Sequence, residues 1–196
     1  MKYDYENNKV ISCIKCDISI SRKHIVNGYG SNIKNGIMFI GEGPGYYEDK
    51  YGYPFVGNSG TLFNKMLHYI GLERSDVYVT NVLKCRTPNN RDPKTVEINN
   101  CIPYLRLEIL NLNPKIIVFV GKVAFYSYFG NNKLSMSRIK GKQIKVNNKI
   151  MIPIYHPAYI LRNIDNETLV KEYFNHFVTI GKLYKEHINP LITFNF

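Results

Sequence analysis

Two unbroken apolar runs, Gly36-Ile37-Met38-Phe39-Ile40 and Ile116-Ile117-Val118-Phe119-Val120, constrain this chain more than anything else in it. Successive side chains of a strand point to opposite faces, so a half-buried strand alternates apolar with polar residues. An unbroken run needs apolar surroundings on both faces, the condition inside a parallel sheet covered by helices on either side. Two further strands are predicted at residues 77–82 and 150–155. Helical spacing lies between the strands. Leu62, Phe63, Met66, Leu67 and Ile70 share one face of a helix opened near Asn58 or Ser59 and closed by Gly71. Helices are also predicted over residues 96–111, over 123–129 after Gly121, and over 167–186, where Leu169, Tyr173, Phe177, Ile180 and Tyr184 recur at helical intervals. Strands alternating with helices predict an α/β fold, a three-layer α/β/α sandwich around a central four-stranded parallel sheet. At 196 residues the chain reads as one domain spanning 1–196, with no internal repeat.

Composition excludes several classes. Apolar residues at 44% and charged residues at 21% describe a globular chain, not a disordered one. No apolar run approaches the roughly 20 residues of a membrane span. The opening Met1-Lys2-Tyr3-Asp4-Tyr5-Glu6 carries acid and no apolar stretch follows, which is not a signal peptide. A soluble, intracellular, basic protein is expected. The 26 Lys and Arg exceed the 15 Asp and Glu by 11, a surplus that attracts polyanions and that an AT-rich coding sequence also produces. Residues 131–150 hold Lys133, Arg138, Lys140, Lys142, Lys145 and Lys149 without an acid, which suits either a solvated hairpin or a phosphate backbone.

Ligands of open parallel sheets bind beyond the carboxyl ends of the strands. Gly41-Glu42-Gly43-Pro44-Gly45 follows the first strand, Thr80-Asn81 ends the second, and His156-Pro157-Ala158 follows the fourth. A carboxylate, an amide and an imidazole would converge there. The glycine-rich turn is no dinucleotide fingerprint, since Tyr46 occupies the place of the last glycine. Gly121-Lys122-Val123 likewise fails as a Walker loop. The turn does allow close backbone approach to a flat ligand. Cys13 and Cys16 form a Cys-x-x-Cys, and fifteen residues separate Cys85 from Cys101. In an intracellular protein such a set binds metal more often than it forms disulfides, and both a four-thiolate zinc and a [4Fe–4S] cluster take four cysteines.

Gly41-Glu42-Gly43-Pro44-Gly45 with Glu48-Asp49, Gly52, Pro54-Phe55-Val56-Gly57 and Ser59-Gly60 resembles the first conserved block of the family 4 uracil-DNA glycosylases. Thr80-Asn81-Val82-Leu83-Lys84-Cys85-Arg86 with Asn90-Arg91-Asp92-Pro93 resembles the second, and His156 to Asn163 the third. The resemblance covers residues 13–163 in order. It implies hydrolysis of the uracil–deoxyribose bond after the nucleotide is flipped out, leaving an abasic site for base excision repair. It also implies a [4Fe–4S] cluster held by Cys13, Cys16, Cys85 and Cys101. In that reading Phe55 stacks on the base beside the backbone of Gly41 and Gly43, and the Asn81 amide reads O4 and N3–H together. His156 donates toward O2 as charge develops there. Glu42 holds the water, and Glu48 crowds the place of a thymine methyl. Ser59, Lys84, Arg86 and Arg91 contact phosphate, and Ile160, Leu161 and Arg162 enter the minor groove as a wedge.

Some positions depart from the pattern. Gly43 stands where better-known uracil glycosylases place an aspartate, and Thr87 where relatives commonly have proline. The basic, histidine-bearing loop of a covalent uracil-trapping branch is absent between Lys84 and Pro93, so turnover is expected. The implied partner is uracil-containing DNA, met by a monomer in the cytoplasm at the nucleoid. A sliding clamp or downstream abasic-site repair enzymes would be the protein contacts, although no segment reads as a clamp motif. The alternatives are a related glycosylase preferring hypoxanthine or xanthine, and a non-catalytic iron–sulfur DNA-binding accessory module.

Overall fold

A computed structural model describes residues 2–130 and 135–191; Lys133 lies outside them, as does the end of the C-terminal tail. In chain order the elements are a hairpin of β1 (Lys2–Asp4) and β2 (Lys9–Ser12), then α1 (Ile18–Ser21), β3 (Tyr29–Gly30) and β4 (Ile37–Gly41). There follow α2 (Tyr46–Tyr51), α3 (Asn58–Tyr69), β5 (Tyr78–Asn81), a 3-10 turn (Pro88–Asn90) and α4 (Thr95–Leu112). The chain continues through β6 (Ile116–Val120), α5 (Lys122–Phe129), α6 (Met136–Ile139), β7 (Ile144–Val146), β8 (Lys149–Ile154), α7 (Pro157–Arg162) and α8 (Glu167–His187).

The main sheet has six strands in the order β3-β5-β4-β6-β8-β7, not the four expected. The four expected strands are its inner ones, each parallel to its neighbour. The two additions are short antiparallel edges, Tyr29–Gly30 against β5 and Ile144–Val146 against β8. Neither is long enough to show a strand period. Lys145 on the β7 edge places a charge where an unpaired strand would otherwise invite another chain. The basic stretch therefore holds a helical turn and a β-hairpin.

The unbroken apolar runs divide their side chains between two cores. Ile37, Phe39, Ile116, Val118, Val120, Ile150, Ile152 and Ile154 face Phe63, Met66 and Leu67 of α3 and Tyr173, Phe177 and Ile180 of α8. Met38, Ile40, Ile117, Phe119 and Met151 face Leu105 and Ile109 of α4 and Phe125 of α5. All five residues of β4 and of β6 are buried, so the helices close both faces. At about 25 cal/mol per Å² of apolar surface removed from water, these two layers are the main stabilising term. Asn166 starts α8 by accepting the Leu169 amide at 3.0 Å, satisfying one of the amides a helix leaves open at its N-terminus. Among the described residues no helix is long and apolar enough to cross a membrane.

Candidate active site

The floor of the site is set by register. Gly41 at the end of β4 pairs with Asn81 at the end of β5. The pairing runs on past both strands, with the Val82 amide donating to Gly41 O and the Leu83 amide to Glu42 O, each at 2.9 Å. A Cβ on Gly41 would lie 2.3 Å from Asn81 Oδ1 and 2.9 Å from the Phe55 ring, so only glycine leaves the gap open. The Asn81 side chain is buried, and its backbone carbonyl accepts Lys84 Nζ at 2.9 Å. Among the described residues no hydrogen bond engages its amide group, which leaves one donor edge and one acceptor for a ligand.

Phe55 sits above that floor with φ of +58°, the left-handed region that costs an ordinary residue energy. Two features hold it there. Gly60 in the first turn of α3 lets the Phe55 backbone lie against the helix, since a Cβ would come within 1.9 Å of Phe55 O. Glu48 clamps the rest of the loop: Oε1 accepts the amides of Val56 and Gly57 at 2.9 Å, and Oε2 accepts Gly45 N at 3.1 Å. The Glu48 carboxylate is thus engaged on both oxygens while lining the cleft. The Phe55 ring packs 5.0 Å from Phe63 and stands 6.1 Å from the His156 ring at an interplanar angle of 35°.

His156 leaves β8 and caps α7, accepting the Ala158 amide on Nδ1 at 3.2 Å. That bond requires an unprotonated Nδ1, so the neutral ring carries its proton on Nε2. Burial first, and the Arg162 charge second, push the imidazole down to about 4, against an opposing pull from Glu48. At neutral pH His156 is therefore an uncharged donor. Gly121, with φ of +97°, brings the end of β6 close beneath it; a Cβ there would lie 3.2 Å from His156 Cβ. Burial and then the neighbouring Asp92 raise the Glu42 carboxyl above the usual carboxylate range, and Lys122 opposes them.

The cleft these residues enclose has a volume of about 830 Å³. Glu42, Gly43, Glu48, Phe55, Ser59, Asn81, His156 and Arg162 all line it, and Gly41 lies beneath Asn81 and Phe55. Leu161 is exposed on α7 outside the cleft wall, whereas Ile160 is buried in the core and no part of a wedge. Lys84 is a correction. It is 1% exposed and donates to Glu108 Oε2 at 2.8 Å and to Thr80 Oγ1 at 2.6 Å, so it cannot reach a phosphate. Arg91 is committed to Glu97 through two bonds of 2.9 and 2.5 Å. Arg86 bonds Asn90 Oδ1 at 2.7 Å and lies 5.2 Å over the Tyr46 ring. Sequence reasoning missed Asp92 and Lys122, which flank Glu42, and Tyr46, Tyr47 and Tyr159 on the cleft wall. Lys122 had a signal, because it follows the carboxyl end of β6 as His156 follows that of β8.

Cys13, Cys16, Cys85 and Cys101 are all free thiols. Cys16, Cys85 and Ile18 pack around Cys101, and Cys13 packs against Tyr104 of α4. Burial raises the Cys16 and Cys85 thiols and pushes Cys101 up to about 11, with the neighbouring cysteines adding to each shift. Arg22 Nη1 opposes it at Cys85, donating to Sγ at 3.4 Å. Among the described residues no three His, Cys, Asp or Glu stand close enough to hold one metal ion. Four cysteine thiols drawn to the junction of the N-terminal segment, the loop after β5 and α4 are the donor type and number that a four-thiolate zinc or a [4Fe–4S] cluster takes. Cys85 also lines the cleft, four residues beyond Asn81.

Residues 28–178 match the family model of the uracil DNA glycosylase superfamily. The chain is 43% identical over 182 residues to a type-4 uracil-DNA glycosylase of Archaeoglobus fulgidus, covering 89% of each. It is 44% identical over 174 residues to the type-4 enzyme of Sulfurisphaera tokodaii, covering 85% of this chain and 79% of that one. With the type-4 enzyme of Thermotoga maritima the identity is 41% over 162 residues, 82% of this chain and 84% of the relative.

Proposed function

The chain belongs to the uracil-DNA glycosylase superfamily, and from that membership and the geometry of the cleft we propose that it excises uracil from DNA. The observation that carries the reading is the gap over Gly41, where the unengaged Asn81 amide and the Phe55 ring face one space. A planar base entering it stacks on Phe55. Uracil offers an N3–H to the amide oxygen and O4 to the amide N–H; cytosine offers the reverse pattern and is rejected.

In the reaction the C1′–N1 bond breaks and its electron pair passes to the uracil ring, accumulating at N1 and O2. His156, neutral and protonated on Nε2, donates to that charge. Such preorganised donors contribute about 10²–10³ in rate. The sugar becomes cationic at C1′, a water oxygen bonds there, and Glu42 holds that water and takes its proton. Leu161 and Arg162 occupy the space the nucleotide vacates. The N-terminal segment is fastened by a [4Fe–4S] cluster on Cys13, Cys16, Cys85 and Cys101, which supplies a mechanical link rather than a step. The protein acts as a monomer inside the cell, and sliding clamps or abasic-site enzymes are its expected company.

The test is incubation with a uracil-containing oligonucleotide, then alkaline cleavage of abasic sites. Strand scission is expected, with hypoxanthine and xanthine substrates cleaved far less. An undiminished full-length strand beside an active control refutes the reading, and preferential cleavage at hypoxanthine or xanthine replaces uracil as the substrate. Asn81→Ala and His156→Ala should lose about a hundredfold or more in single-turnover rate at unchanged fold. Brown protein with iron and labile sulfide supports the cluster, and colourless protein carrying zinc overturns it.

A further inference from the structure

Helix α2 leads away from the cleft mouth and exposes three tyrosines, Tyr46, Tyr47 and Tyr51, each about half accessible. Their rings form a row. Tyr46 and Tyr47 meet edge to face at 5.3 Å, and Tyr47 and Tyr51 lie nearly parallel at 6.4 Å. A cation ends the row on each side: the Arg86 guanidinium lies 5.2 Å over Tyr46, and Lys50 Nζ lies 5.2 Å over Tyr51. Tyr46 and Tyr47 also line the cleft beside Glu48, so the row is continuous with the space that takes the base. The catalytic reading uses none of these rings. Large apolar groups left uncovered together mark a binding surface.

We propose that the row Lys50–Tyr51–Tyr47–Tyr46–Arg86 is a stacking platform for unpaired nucleotides flanking the excised one, fitting the protein to uracil in single-stranded DNA. Every base has a π-face, so tyrosine rings hold bases without regard to sequence, and cations at the ends of the row serve the phosphates. In a duplex the neighbouring bases stay stacked on each other and offer no face to a tyrosine. The platform therefore serves the single strand, whereas Leu161 and Arg162 serve the duplex, where a stack must be opened. This rests on the uracil-excision reading, but its first measurement does not.

The experiment compares wild type, Tyr47→Ala/Tyr51→Ala and Tyr47→Phe/Tyr51→Phe. Binding to a fluorescent, uracil-free oligothymidylate is read by anisotropy. Excision is read on the same uracil oligonucleotide alone and annealed opposite guanine. The alanine pair should weaken single-strand binding about tenfold or more and lower single-strand kcat/KM by a similar factor. Duplex kcat/KM should fall far less than single-strand kcat/KM, and the phenylalanine pair, which keeps the rings, should behave as wild type. Leu161→Ala should show the opposite pattern, with the loss on the duplex. Unchanged single-strand binding in the alanine pair, equal losses on both substrates, or a phenylalanine pair as poor as the alanine pair would each overturn the proposal. Wild type that binds oligothymidylate through these rings yet excises no uracil would refute the excision reading and leave the platform standing.

Discussion

Glu42 and His156 have opposite electrostatic histories, and pH separates them. Burial and Asp92 raise the Glu42 carboxyl, so the rate should fall as pH drops through a limb above that of an ordinary glutamate. Asp92→Asn removes a like charge and should move that limb to lower pH, while Lys122→Met should move it higher. Single-turnover rates across pH read both. His156 contributes no limb near neutrality, because it protonates only at about 4. Its effect appears in stability. The folded pKa lies below the ordinary 6.5, so the unfolded chain binds the extra proton first. The contribution is complete above 6.5 and is lost as pH falls toward 4; melting at pH 7 and 5 should show it, and His156→Asn should flatten it. Gly41→Ala should abolish excision, since its Cβ would strike Asn81 and Phe55, and overpacking of this kind costs about 1–3 kcal/mol. Residue types at strand ends made Glu42, Asn81 and His156 legible in the sequence. Asp92 was not, because a loop brings it in, and Lys122 was overlooked although it too follows a strand end. Lys84 misled because motif position does not say which way a side chain turns, and its direction is set by Glu108 on a distant helix.

That pairing belongs to the scale of elements, since it ties the loop after β5 to the C-terminal third of α4. Both partners are almost wholly buried, at 1% and 0% exposure, so removing one strands the other. Lys84→Met or Glu108→Leu alone should cost about 3–5 kcal/mol, whereas the double variant should recover much of it. Urea denaturation of the three variants measures this. Because Lys84 also holds the Asn81 carbonyl, the double variant should regain stability without regaining full excision rate. The inner strands and the long helices were legible from apolar periodicity, and the predicted bounds fall within a residue or so of β6 and α8. The edges were not. Tyr29–Gly30 has only two residues, one of them glycine, and Ile144–Val146 lies in a basic stretch whose composition reads as solvated. Their pairing comes from neighbours in space, which no local pattern records.

For the molecule as a whole, the net charge of +11 should appear as salt dependence. The logarithm of the DNA association constant should fall linearly with the logarithm of salt concentration, with kcat unchanged at saturating substrate. A slope near zero by anisotropy would show that the charge lies away from the DNA. With the proposed cluster in place on the four cysteines, chelating its iron should lower the melting temperature and expose the segment carrying Cys13 and Cys16 to protease. The pairing of Gly41 with Asn81 has a consequence beyond the site. Side chains alternate along β5, so Thr80 faces Glu108 and Asn81 faces Phe55. A slip of one residue would exchange those directions and present a hydroxyl to the base in place of an amide. The accuracy with which this protein tells a damaged genome from a sound one is thus inherited from the accuracy with which its own strands find each other.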